Sequence, residues 1–307
     1  MSSPRSLWWL VSGTVLLALF APTSLPLAGV TFAGLQLIGG TRSRVSRAGA
    51  LLLGLLALWA LVIPRESAID AVLGVFQLFA AVAFVALAWS APGPFLSRAT
   101  AALAWSGVSA VVLAWTLNGP HTWGLLAWDT VRQTSFALRT VLEVMSPDVV
   151  ADMYGKYEPA VRFFSTARPA LEALWGYAAL AAAWQWHVRT ARTPLGPELR
   201  PFRQFRLADG AIWAVVAATA VWVVSGSLPG VRVAAFNVGL VLGVLYVIRG
   251  AAVVGATAAI VAIPAWVQVL AAFSGLLFAP ATAPSLCVLG LTDTWLEFRR
   301  RLEGRPN

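Results

Sequence analysis

Apolar windows long enough to cross a bilayer recur from one end of this chain to the other, and charges are confined to the short stretches between them. Apolar residues make up 59% of the sequence and charged residues 11%. A soluble domain carries about 25% charged residues, so the chain falls outside that class. A span needs about 17 to 25 residues, and every unpaired backbone group in hydrocarbon costs several kcal/mol. The expected fold is therefore all-α: a polytopic membrane helical bundle with about 8–10 transmembrane segments.

Ten apolar segments are expected, at roughly 7–21, 25–40, 49–63, 69–90, 99–118, 170–188, 210–227, 232–249, 251–278 and 281–296. The first follows Arg5 and has no A-x-A-like cleavage site after Phe20, which reads as an uncleaved first span. Pro22 and Pro26 interrupt the first pair, so these segments are two full spans or a re-entrant hairpin.

Basic residues set the expected orientation. Placing both termini inside puts 15 of the 22 Arg and Lys residues on the inner side, and most of the rest in one long outer loop. The expectation is N-in, C-in, in a bacterial inner membrane. Trp8, Trp9, Trp59, Trp89, Trp115, Trp184, Trp186, Trp222 and Trp295 fall near segment ends, where amphipathic rings favour the interface. The net charge of +9 is thus accounted for by loops flanking spans, and a nucleic-acid surface is not expected.

Two regions stand out between the spans. The outer loop from Gly119 to Arg168 carries an apolar stripe at Trp128, Val131, Leu138, Leu142 and Met145, with Asp129, Arg132, Arg139 and Glu143 on the other face. Ser146-Pro147-Asp148 reads as a helix start, and Gly155 to Pro159 as a second break. Two or three short helices lying on the outer membrane face are expected. The second region, Arg200-Pro-Phe-Arg-Gln-Phe-Arg-Leu-Ala-Asp209, interleaves arginines with Phe202 and Phe205. Each arginine at a bilayer centre would cost roughly 2.5 to 3.5 kcal/mol, so this elbow lies at the surface with its guanidiniums among anionic lipid phosphates.

No HExxH, GxSxG, P-loop or strand-borne GxGxxG occurs, so neither enzyme chemistry nor a cofactor is expected. Cys287 is the only cysteine and His121 and His187 the only histidines, so a Cys/His metal cluster is not expected. His121, after Gly119-Pro120, reads as exposed or interfacial, and His187 as snorkelling or contacting lipid. Polar residues within spans carry more information, because hydrocarbon penalises them unless they pair or face a wet cavity. Gln77, Asn237 and Gln268 lie near the middle of their segments; interhelical hydrogen bonds or a polar substrate pocket would each explain them. Gln36 and Gln185 lie closer to ends. Gly239, Gly243, Tyr246 and Gly250 share a helix face that suits close packing, continued by Ala252/Ala256, and Ala179/Ala183 offer another. Pro264 is expected to kink the ninth segment beside Gln268. Asp209 and Asp293 are expected to pair with Arg203, Arg206 or Arg299, or to contact lipid or a cytoplasmic partner with them.

Three motifs carry a family resemblance. They are Phe202-Arg203-Gln204-Phe205-Arg206-Leu207 before a Trp-containing span, Tyr246-Val-Ile-Arg249-Gly-Ala-Ala-Val-Val254 after Asn237, and Leu289-Gly-Leu-Thr-Asp293-Thr-Trp-Leu-Glu-Phe-Arg299. Together they resemble the YybS-like family of predicted bacterial membrane proteins. Arg249 stands where the family pattern leads one to expect a neutral residue. The resemblance implies N-terminal helices, residues 1–190, similar to the substrate-binding S components of energy-coupling-factor transporters, followed by the elbow and a four-span portion over 191–307. It implies partner subunits including an ATPase, since this chain has no ATPase motif. The function expected is a membrane subunit that binds or helps to transport a small polar molecule. A scaffold that engages anionic lipid or a cytoplasmic partner is the alternative.

Overall fold

The structure is a computed structural model, described over residues 24–40, 44–62, 68–90, 93–143, 147–226, 228–296 and 298. The first expected span and Arg299 lie outside the described residues. The chain divides into two compact units, Met1–Leu199 and Arg200–Asn307. Every regular element among the described residues is helical apart from an isolated bridge at Ala191.

In the first unit the helices are α1 (Leu25–Gly39), α2 (Arg44–Val62), α3 (Ala68–Ser90), α4 (Phe95–Asn118), α5 (Thr122–Glu143) and α6 (Pro147–Thr190). Their core is an alanine seam, with Ala80, Ala81, Ala99, Ala102 and Ala179 closed around Leu27, Leu35, Phe84, Leu180 and Trp184. Small side chains let backbones approach where lipid leaves little hydrophobic drive for helix association. Gly29 packs on Ala57 and Gly54 on Ala33, a reciprocal contact between α1 and α2. The Ala179/Ala183 face expected from sequence is buried, with both residues at 2% exposure or less.

The outer loop differs from expectation. It forms one 22-residue helix, α5, and the first half of α6, which runs 44 residues without interruption through Gly155 and Pro159. Proline removes one N–H and presses on the carbonyl four residues back. At Pro159 that carbonyl belongs to Gly155, whose backbone yields most easily. At about 1.5 Å per residue α6 is about 66 Å long, twice the hydrocarbon thickness.

The second unit holds α7 (Ala211–Val224), α8 (Pro229–Ile260), α9 (Ala265–Leu277) and α10 (Ala279–Leu296), preceded by a 3-10 turn at Phe202–Gln204. Helix α8 merges the eighth expected segment with the start of the ninth, so Arg249 and Gly250 are mid-helix and not a loop. The ninth segment is broken and not merely kinked. Ala262 takes φ +56°, Ile263 N–H donates to Ala258 O at 2.9 Å and Ala262 N–H to Ala259 O at 3.2 Å. This is a Schellman cap, and Pro264 right after it forbids continuation.

Among the described residues, three helical stretches can cross a membrane by length and composition: Ile69–Ser90, Phe95–Leu117 and Pro229–Ile260. The sharply bent α9–α10 pair would make a fourth. Helices α1 and α7 are apolar but shorter.

Candidate functional site

Two deeply buried charges lie where α8 and α10 cross. Gly250 has no room for a Cβ because the Leu286 carbonyl occupies that space, and Gly290 has none because of the Tyr246 carbonyl. Numbers rise along one helix as they fall along the other, so the pair is antiparallel and in backbone contact. Beside this contact Arg249 Nε donates to Asp293 Oδ2 at 3.1 Å, with side chains only 4% and 3% exposed. A guanidinium is tolerated inside an apolar 32-residue helix because the carboxylate is already in place. Arg249 Nη1 is buried without a hydrogen-bond partner, and Tyr246 and Thr294 lie within electrostatic reach of one another.

A second polar group joins α3, α5 and α6 of the first unit. Arg168 Nη1 donates to Gln133 Oε1 at 2.7 Å, and Gln133 Nε2 donates to Asp70 Oδ2 at 3.1 Å. Arg168 lies 3.9 Å from both Asp70 and Glu172. Asp129 accepts the Ile69 N–H at 3.0 Å, capping the first turn of α3 from another helix, and also pairs with Arg132 at 2.8 Å. The face assignment of α5 is thus the reverse of a surface helix: Asp129 is buried and Gln133 half-buried, while Trp128 and Val131 are exposed.

The third group closes the end of α6. His187 is fully buried against Gly39 and Trp184, and its Nε2 accepts the Leu195 N–H at 3.3 Å. Residues 191–199 fold back over it. Thr193 donates twice to Gly39 O, Trp184 Nε1 donates to Pro197 O, and Leu199 N–H donates to Gln185 Oε1. Arg98 sits 5.4 Å over the Trp184 ring. His187 and Trp184 are therefore core residues and not interfacial ones, because a strap that looks polar in sequence covers them. His121 is exposed, as its turn residues suggest.

Gln77 belongs to the first unit, Asn237 and Gln268 to the second. Gln77 is 2% exposed and its Oε1 has no partner. Asn237 donates to Val233 O of its own helix at 2.9 Å. Gln268 donates to Ile263 O, the carbonyl released at the helix break, and accepts from Arg203 Nη2 at 3.3 Å. Arg203 and Arg206 are exposed, as is Asp209. Asp293 takes Arg249, a partner not expected from sequence, and Arg299 is outside the described residues. Sequence reasoning singled out Arg249 as out of place but did not pair it. The signal that finds it is an arginine and an aspartate, each next to or near a packing glycine, on two apolar helices.

Long apolar helices, alanine and glycine seams and a paired charge inside them define a helical membrane protein. The chain belongs to the DUF2232 family of predicted membrane proteins, whose family model matches residues 135–294, just over half of the chain. That stretch contains both Arg249 and Asp293. Neither a curated protein nor a solved structure matches the chain significantly.

Proposed function

We infer that the chain is a bacterial inner-membrane subunit that binds a small polar molecule, or helps to move it, within its first unit. One observation carries this reading. Thr31 Oγ1, Gln36 Oε1, Gln77 Oε1 and His187 Nδ1 are all buried without a hydrogen-bond partner, on the mutually packed helices α1, α3 and α6. An unmet buried group costs about 1–3 kcal/mol, so a set of them is retained where a ligand supplies the missing bonds. Any ATP-driven transport would draw its energy from a partner ATPase. Native mass spectrometry of the protein in its own lipid tests this. Gln77→Leu is expected to lose a retained small molecule without lowering the unfolding midpoint. Lower stability with unchanged small-molecule content would sink the reading.

The scaffold reading, with no substrate, is favoured by a different observation: Arg200 and Arg206 stand exposed on either side of the turn that carries the exposed Arg203, in reach of anionic lipid or an acidic partner.

A further inference from the structure

We propose that α9 and the arginine turn before α7 form an interfacial anchor, lying along the headgroup–acyl boundary of an anionic leaflet, and that α9 is not half of a kinked span. The inference is independent of whether the first unit takes a ligand. At 13 residues α9 is about 20 Å long, too short to cross a hydrocarbon core of about 30 Å. It meets α10 at 111°, and Thr282 Oγ1 donates to Gly275 O at 2.6 Å across the bend. Since α10 lies antiparallel on α8, α9 runs across the axis of that pair.

The surface of α9 matches this placement. Trp266, Val269, Leu270, Phe273 and Leu277 follow i, i+3, i+4, i+7, i+11 spacing and are all exposed, Trp266 by 71%. Gln268, off that stripe, accepts from Arg203, whose stem lies against Gly255 of α8. The contact brings the turn to the start of α9, with Phe202 exposed and Arg200 and Arg206 flanking it. An apolar stripe with guanidiniums at its side fits acyl chains below and phosphate oxygens beside them.

The test uses the full chain in lipid nanodiscs of phosphatidylcholine with or without phosphatidylglycerol. In a Cys287→Ala background, single Trp266→Cys, Leu270→Cys, Phe273→Cys and Leu277→Cys variants carry a spin label whose depth is read from oxygen and nickel accessibility. The expected result is one shallow depth at all four positions. A crossing helix would instead deepen by about 16 Å between positions 266 and 277, and that gradient overturns the proposal. In the second arm, Arg200→Gln with Arg206→Gln leaves the Arg203–Gln268 bond in place. The preference for phosphatidylglycerol around the protein is expected to fall about fivefold for each arginine removed. An unchanged preference overturns the anionic-leaflet assignment.

Discussion

The two units pair their buried charges differently. The second buries full charges and pairs them: Arg249 and Asp293 meet at 3.1 Å beside a glycine–glycine contact. The first holds Asp70 and Arg168 part-exposed around Gln133, buries Asp129 against the Ile69 N–H and an exposed Arg132, and leaves atoms of Thr31, Gln36, Gln77 and His187 unmet, as the second does at Ser225, Tyr246 and Thr294. A paired charge at a tight crossing fixes which residues of two helices face each other. Unmet neutral groups leave room for exchange with a ligand. On the proposed reading, the second unit's tight charge pair holds structure, and the first unit's unmet neutral groups hold a ligand.

Breaking the pair is the largest test of that division. Asp293→Ala leaves Arg249 buried and uncompensated, and about 3–5 kcal/mol of stability should be lost in detergent denaturation. The double change Arg249→Leu with Asp293→Leu should recover most of it, because two apolar residues need no partner. If the double variant were as unstable as the single, the pair would be holding something beyond the two helices. The Gln77→Leu change in the first unit should do the contrary, altering bound material and sparing the midpoint.

Asp129 offers an intermediate test on the first unit. Its carboxylate caps α3 at Ile69 from the neighbouring helix, so Asp129→Ala should cost about 0.5–2 kcal/mol. Asp129→Asn keeps an acceptor and should cost less. Equal losses from both would mean that the ion pair with Arg132, and not the cap, carries the effect.

Much of the fold was legible. Hydropathy windows located α3 and α4 to within a few residues, and small residues marked the Ala179/Ala183 face and the Tyr246–Gly250 end of the other, while Gly239 and Gly243 of that face meet nothing within 4 Å. What composition could not show was pairing across the fold. Arg249 looked like a loop residue because a lone arginine ends a span unless a carboxylate 44 positions later is waiting for it. Asp129 looked solvated because a helix-capping acid is normally found in the helix it caps. His187 looked interfacial because the strap that buries it, Ala191 to Leu199, has the composition of a loop. The elbow, by contrast, needed only its own residues to be read as exposed.

The smallest expected effect concerns the helix break that sets α9 apart. Ala262 holds φ +56°, where a Cβ crowds the neighbouring carbonyl and costs about 1–2 kcal/mol. The Schellman hydrogen bonds around it compensate, and Pro264 leaves the chain no helical alternative. Ala262→Gly removes the crowding and keeps the bonds, so it should stabilise the second unit, by less than about 1 kcal/mol once glycine's extra unfolded-state entropy is counted. A rise in the unfolding midpoint, with the Asp293→Ala loss unchanged in the same background, would show that the break and the ion pair act separately. A fall would mean that α8 and α9 run as one helix through position 262, where alanine outperforms glycine. The contrast between the break at Pro264 and the helix α6 that runs on through Pro159 and Pro169 would then disappear.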